Sequence, residues 1–156
     1  PISTPTGSVS EVVTRVSHQG VTLPLPPGYV DATDLVTGDQ TAGPIQLVAF
    51  LRYPGQHQIT VQFVSTEYAD LAGFVDFYAK AQDAPSSEAS ITERHNLDMG
   101  GRPGVQFILK NRATGELSTM CVALRAPKSL VMVSGVANTP TRQAAVETVA
   151  KGLQLS

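Results

Sequence analysis

Three strand-like segments follow one another in the second half of the chain, at residues 105–110, 117–125 and 130–137. Only short turns separate them, and these turns contain Gly115 and Pro127. Short turns force neighbouring strands to run antiparallel, so the pattern predicts a β-meander. Strands in consecutive runs favour an α+β fold with an antiparallel sheet over a parallel sheet in which strands and helices alternate.

The first half of the chain adds a hairpin. Residues 45–52 are apolar at nearly every position, which is typical of a strand covered on both faces. Residues 58–64 alternate between apolar and polar side chains, and residues 53–57 join the two segments. Together they predict two antiparallel strands.

A shorter segment precedes this hairpin. Residues 21–25 predict an edge strand, because proline cannot donate a hydrogen bond to a neighbouring strand. Pro26-Pro27-Gly28 then ends the strand in a turn. Residues 29–43 are rich in Asp, Thr and Gly and predict a long loop.

The apolar pattern changes to helical spacing after the hairpin. Ser65 and Thr66 are candidate N-caps for this helix, and Pro85 ends the region. The apolar side chains at positions i, i+3, i+4 and i+7 are Leu71, Phe74, Val75 and Tyr78.

A second helix is predicted at the end of the chain. Thr139 is its cap, Pro140 takes the first helical position, and Gly152 ends it. One face of this helix is apolar and is expected to pack on the sheet. It consists of Val146, Val149, Ala150 and Leu153.

A chain of 156 residues corresponds to one domain. We therefore predict a single α+β domain over residues 17–156, with an antiparallel sheet covered by at least two helices. Residues 1–16 are predicted to be a flexible tail, because their first ten positions are rich in Ser, Thr, Pro and Gly. Two interpretations stay open: a tether that follows a removed signal or lipid anchor, and an ordinary trimmed terminus.

The net charge and the cysteine content argue against several classes of function. The net charge of −2 argues against a nucleic-acid partner, which normally meets a basic face. Cys121 is the single cysteine, so neither an intrachain disulfide nor a Cys-x-x-Cys zinc site is possible. Its apolar neighbours predict a buried, inert thiol. No stretch approaches the roughly 18 apolar residues of a membrane-spanning helix.

Histidine and carboxylate patterns give one enzymatic hypothesis. His18, His57 and His95 lie in separate segments without metal-ligand spacing. His95 and Asp98 share a charged segment at residues 93–98, which lies within the strand predicted at residues 91–98. A small hydrolase or isomerase could use this pair with a distant serine, but no G-x-S-x-G motif supplies that serine. These patterns therefore predict no catalytic residue, no cofactor and no metal ligand.

Other polar and aromatic residues have structural and functional interpretations. Paired carboxylates could support acid–base chemistry, but the four candidates more often form turns or flank helices. They are Asp31, Asp34, Asp70 and Asp76. Three tyrosines lie near loops or element ends and could form an exposed binding face or cap the core. They are Tyr29, Tyr53 and Tyr68.

The glycine-rich segment at residues 100–104 reads GGRPG and leads into a strand. It therefore predicts a tight turn, since a phosphate-binding loop opens a helix. Residues 84–90 predict a polar loop before the strand at residues 91–98.

Two segments of the sequence resemble segments of a known protein family. Residues 23–29 (LPLPPGY) resemble the opening of the PsbP-like and DcrB-like proteins, and residues 97–107 (LDMGGRPGVQF) are similar to their G-x-P-[AG] turn. The helix at residues 71–81 and the closing meander and helix fit the same organisation over residues 17–156. The resemblance implies an α/β/α sandwich with a central antiparallel sheet. It also implies a non-enzymatic role, as extracytoplasmic accessory proteins, lipoproteins or adaptors for secreted effectors.

The function expected from this resemblance is a non-enzymatic binding or accessory protein of the bacterial cell envelope, with another protein as its partner. A membrane contact is expected only through an N-terminal anchor outside this chain, and a homodimer is left open. A cytoplasmic adaptor or chaperone is the alternative, and it predicts an exposed apolar groove. The expected binding surfaces are an exposed sheet face, the loop around Pro54 and Gly55, or the turn at residues 100–104.

Overall fold

The structure, a computed structural model, describes residues 14–35, 45–53 and 57–155, with the backbone alone for His57. The helices in these ranges are α1 (Leu71–Asp83) and α2 (Pro140–Gly152), together with a short 3-10 helix, Thr33–Leu35. The strands are β1 (Arg15–His18), β2 (Val21–Pro24), β3 (Val30–Asp31), β4 (Ile45–Tyr53), β5 (His57–Ser65), β6 (Ala89–Met99), β7 (Arg102–Asn111), β8 (Leu117–Ala126), β9 (Ser129–Val136) and β10 (Gln154–Leu155).

Seven strands form the central sheet, in the order β3-β4-β5-β9-β8-β7-β6. Every neighbouring pair is antiparallel. Strands β6 to β9 are neighbours in sequence order, which confirms the predicted meander. A second sheet has the order β1-β2-β10. The predicted single-domain α+β sandwich is therefore confirmed.

The two helices cover opposite faces of the central sheet. On one face, Phe74 and Val75 of α1 pack with Phe107 of β7. On the other face, Val149 of α2 packs in the same cluster as Cys121 of β8, and the small sheet adds to this layer. Alternate residues of each strand point to opposite faces, so the sheet is buried on both sides. Neither face of its centre is left open as a binding surface.

Helix α1 begins later than the predicted N-caps. Its cap is Asp70, whose side chain accepts a hydrogen bond from the Gly73 backbone at 2.8 Å. The prediction of Ser65 or Thr66 was wrong because strand β5 runs through Ser65 and the Thr66 backbone N–H donates to Lys128. The helix ends at Asp83, before Pro85, as predicted.

Helix α2 begins and ends as the sequence predicts. Thr139 is the N-cap and Pro140 is the first helical residue, where its missing N–H costs nothing. Gly152 is the last helical residue. The predicted apolar face is buried against the sheet and consists of Val146, Val149, Ala150 and Leu153.

Strand β2 is the central strand of the small sheet, so its assignment as an edge strand was wrong. It pairs with β1 over its full length and with β10 only at Val21 and Thr22. Pro24 lies beyond the short β10 ladder, so its missing N–H breaks no hydrogen bond there. In the loop predicted at residues 29–43, the described part holds β3 and the 3-10 helix, and residues 36–44 lie outside the described ranges.

The turn between β6 and β7 is shorter than predicted. Gly100 and Gly101 are its two central residues, with φ of 63° and 92°, while Arg102 already begins β7. Positive φ at both positions is the requirement of a type I′ hairpin. The turn packs on the end of α2, where the Gly100 N–H donates to the Lys151 carbonyl at 3.2 Å.

Candidate functional site

A groove of about 500 Å³ opens between the loop after β2 and the N-terminal half of α2. This volume lies in the roughly 300–1,000 Å³ range of ligand-binding clefts. One wall of the groove comes from residues between positions 26 and 53 and the other from residues between positions 139 and 148. The first wall consists of Pro26, Pro27, Tyr29 and Tyr53.

The first wall is shaped by a turn that its sequence dictates. The Tyr29 N–H donates to the Pro26 carbonyl at 3.0 Å, which closes a four-residue turn. Pro27 and Gly28 are its central residues, and Gly28 has φ of 85°. Proline followed by glycine is the combination that a type II turn requires. The turn presents Pro26 and Pro27 to the groove.

Two tyrosines stand against this turn. The rings of Tyr29 and Tyr53 are 5.3 Å apart and meet edge to face at 66°. Tyr29 is 8% exposed and belongs to the core, whereas Tyr53 is 42% exposed. Burial raises the pKa of the Tyr29 hydroxyl, and the positive charge of Arg142 acts in the opposite direction. The pair thus joins the core to the open side of the groove.

The second wall is the outer face of α2. Its first turn is fixed by Thr139, whose hydroxyl accepts a hydrogen bond from the Arg142 N–H at 3.3 Å. Farther along, the Thr148 hydroxyl donates to the Ala144 carbonyl at 2.9 Å, which turns this polar group toward its own helix. The side chains of this wall are short except at one position. They are Thr139, Thr141, Arg142, Ala144, Ala145 and Thr148.

Only two of the three tyrosines singled out in the sequence meet at the groove. Tyr68 lies elsewhere, with its ring 5.6 Å from that of Phe77 on α1. Sequence reasoning missed Arg142 and the rest of the α2 wall. The available signal was the exposed helical face with hydroxyl and alanine side chains after Pro140, which leaves room beside the helix.

A second depression, of about 410 Å³, lies toward the other end of α2 and is lined by polar side chains. The Gln106 amide donates to the Glu147 carboxylate at 3.0 Å. Gln143 donates to the same carboxylate at 3.3 Å, and the Lys151 ammonium lies 3.7 Å from it. These groups satisfy one another and tie α2 to β7, so we interpret the cluster as structural.

The structure does not bring His95 and Asp98 together. The His95 Nε2 lies 2.9 Å from the Glu93 carboxylate, while the Asp98 carboxylate accepts a hydrogen bond from the Gly101 N–H at 2.8 Å. Residues three apart in a strand point to opposite sides, which explains the separation. His95 is also half exposed, at 51%, rather than enclosed in a pocket. This geometry does not assemble the pair required by the enzymatic alternative.

His18 forms a different pair, with Asp31. Its Nε2 lies 2.7 Å from the Asp31 carboxylate, whose other oxygen accepts hydrogen bonds from the Thr33 hydroxyl and backbone at 2.5 and 3.1 Å. Burial alone would raise the pKa of Asp31, but the hydrogen bonds from Thr33 and His18 lower it overall. This network connects β1 with β3 and with the 3-10 helix.

The remaining candidate residues have structural roles or lie apart. Asp70 caps α1, Asp76 is exposed on the same helix, and Asp34 is exposed in the 3-10 helix. The side chain of His57 and the loop at Pro54 and Gly55 lie outside the described residues. Within the described ranges, no three His, Cys, Asp or Glu side chains lie close enough to hold a metal ion.

Cys121 is buried, as predicted. Burial, reinforced by the negative charge of Glu147, raises the pKa of its thiol to about 12. A thiol with this pKa carries almost no thiolate near neutral pH, so it is a poor nucleophile. Cys121 therefore acts as a small apolar core residue.

Fold and groove together define a single-domain α/β/α sandwich with an open, mainly apolar cleft at one end of its second helix. Among solved structures, the fold is similar to the solution structure of cyanobacterial PsbP (CyanoP) from Synechocystis sp. PCC 6803. The TM-score is 0.61, the sequence identity is 12%, and the alignment covers 92% of each chain. This confirms the PsbP-like fold, while the DcrB-like part of the resemblance stays a prediction.

No protein-family model and no curated protein matches the sequence. In the described ranges, neither α-helix has the length and apolar character needed to cross a membrane.

Proposed function

We propose that this chain is a non-catalytic binding protein that holds a segment of another protein in the groove between Tyr53 and α2. The observation that carries the proposal is the groove itself. Its rigid turn, two tyrosine rings and short α2 side chains create an apolar cleft that nothing in the described chain fills. Clefts of this kind, with a few polar groups at their rim, are the usual form of a binding site.

The similarity to cyanobacterial PsbP supports the proposal at the level of fold alone. We further propose that the protein acts in the cell envelope, as the resemblance implies. The cytoplasmic adaptor alternative predicts an exposed apolar groove, and the cleft meets that expectation as well. Fractionation of cells that produce the full-length gene product separates the two: recovery in the envelope fraction supports the first and recovery in the cytosol supports the second.

Site-specific photocrosslinking tests the groove. A benzophenone amino acid replaces Tyr53 at the cleft or, as the control, Phe77, which is 52% exposed on α1. We expect a discrete adduct with one partner protein from position 53, identified by mass spectrometry, and none from position 77. The same adducts from both positions would contradict a specific site.

A blocking substitution completes this test. Ala144→Trp fills the groove from an exposed helical position, and Ala72→Trp makes the same change on the exposed face of α1. Ala144→Trp should abolish the adduct at position 53, while Ala72→Trp should preserve it. Circular dichroism verifies that both variants fold. An adduct that survives Ala144→Trp would overturn the proposed function.

A further inference from the structure

Arg142 is the one charged residue among the described residues that line the groove. Its side chain is partly buried, and no described carboxylate lies within ion-pair distance of its guanidinium. Its backbone N–H bonds to Thr139, but no described acceptor receives a hydrogen bond from the side chain. A guanidinium carries five donors, and leaving such donors unpaired while they lose contact with water is costly. The groove therefore presents an unneutralised cation to its ligand.

The second wall sets the length of the ligand. Thr139 and Thr148 mark its two ends, so the wall runs for roughly 14 Å at about 1.5 Å of helical rise per residue. An extended chain advances about 3.3 Å per residue, so about four residues fit along the groove. Arg142 lies near one end of this length.

The first wall sets the chemistry of the rest of the ligand. Pro26, Pro27 and the rings of Tyr29 and Tyr53 offer apolar surface. Grooves lined by aromatic rings suit extended peptides, which lay apolar side chains against the rings without forming internal hydrogen bonds.

We propose that the groove binds an extended, mainly apolar segment of about four residues from a partner protein, and that an acidic side chain of this segment pairs with Arg142. This inference rests on the proposed function and adds the chemistry of the segment. A carboxylate suits the site because a guanidinium can donate two parallel hydrogen bonds to it. A neutral segment would offer Arg142 only uncharged acceptors, such as backbone carbonyl oxygens, and would leave its positive charge unneutralised.

The test uses a peptide array with matched charges. Its acetylated and amidated peptides, each about five residues long, contain Pro, Ala and Leu with one Glu, and a second set replaces each Glu with Gln. We expect the wild-type protein to bind the best Glu peptide about tenfold more tightly than its Gln twin, in line with a charge-assisted hydrogen bond. Fluorescence anisotropy in solution measures this ratio.

Variants show whether Arg142 is the source of the preference. Arg142→Gln should bind Glu and Gln peptides equally. Arg94→Gln removes the same charge from an exposed position on β6 and should keep the preference. A preference that survives Arg142→Gln would overturn the assignment. A third peptide set has a free C-terminal carboxylate and no Glu. If this set bound better than the Glu set, the carboxylate that pairs with Arg142 would be a chain terminus and not a side chain, which would overturn this part of the proposal.

The outcomes separate this inference from the proposed function. If Glu and Gln peptides bind equally and Ala144→Trp blocks both, the charge selection is overturned while the groove remains the binding site. If no peptide binds, the peptide inference is overturned, and the crosslinking at position 53 decides separately on the groove.

Discussion

A β-carbon added to Gly28 would lie 2.5 Å from Cε2 of Tyr53, because the tyrosine ring packs directly on the glycine backbone. The same glycine has φ of 85°, a conformation that side-chain-bearing residues rarely adopt. Position 28 of the groove wall therefore requires glycine for two independent reasons, the positive φ of the turn and the contact with the Tyr53 ring.

Gly28→Ala is expected to lower the free energy of unfolding by about 1–2 kcal/mol through the positive φ, and by a further amount through displacement of the Tyr53 ring. Urea unfolding monitored by circular dichroism measures the total. Gly101→Ala is the matched control, since its φ is 92° and no atom lies within 4 Å of an added β-carbon. In a Tyr53→Ala background, the cost of Gly28→Ala should fall to that of the control. An unchanged cost would show that the ring contact contributes nothing.

Gly100→Ala is expected to be far more destabilising than the same change at the adjacent Gly101. A β-carbon on Gly100 would lie 1.7 Å from the carbonyl oxygen of Leu153, and this backbone atom cannot rotate away as a side chain does. We expect a loss of about 3 kcal/mol or more at Gly100, against about 1–2 kcal/mol at Gly101. Thermal unfolding of the two variants measures the difference. Equal losses would contradict the close contact between the turn and the end of α2.

Asp31 is expected to make unfolding depend on pH. Its pKa in the folded protein is below the ordinary value of 3.8, so its contribution to stability is present above that value and is lost as the pH falls through the folded pKa. The difference in unfolding free energy between wild type and Asp31→Asn should therefore be present at about pH 5 and shrink as the pH falls further into the acid range.

Chemical denaturation at a series of pH values measures this difference. Asp34→Asn is the control, because Asp34 is an exposed carboxylate in the same loop that accepts no described hydrogen bond. A difference for Asp31→Asn that does not change across the acid range would disprove the linkage.

Cys121 is expected to be unreactive toward a thiol reagent in the folded protein at mildly alkaline pH. Burial and the nearby Glu147 raise the pKa of its thiol to about 12, and the side chain is fully buried. Modification should require opening of the fold and become rapid in concentrated guanidinium chloride. Gly100→Ala should accelerate it, whereas the wild type should stay protected. Rapid labelling of the folded wild type would show that Cys121 is open to solvent.

Local signals predict the ends of elements, but long-range pairing decides their neighbours. Pro140 and Gly152 mark both ends of α2 because each acts on its own helical turn. The place of β2 could not be predicted in this way, since it depends on β10, a strand of two residues that follows α2 at the other end of the chain.

The same limit applies to the groove. The sequence places Tyr29, Tyr53 and Tyr68 near element ends but does not show which ends share one side of the sheet. Arg142 lies on a face of α2 whose sequence is that of an ordinary solvent-exposed face. Only the tertiary structure shows that the first wall lies beside it. His95 and Asp98 show the opposite case, because strand alternation predicts that residues three apart diverge.

The walls of the groove come from nearly opposite ends of the chain, around Pro26 and around Arg142. A fragment that lacks either segment loses one wall, so recognition requires both segments to be folded against each other. By mass action, any ligand that binds the folded groove must also stabilise the contact between these two segments and raise the melting temperature of the protein. A measurement of the melting temperature therefore detects a bound ligand before that ligand has been identified.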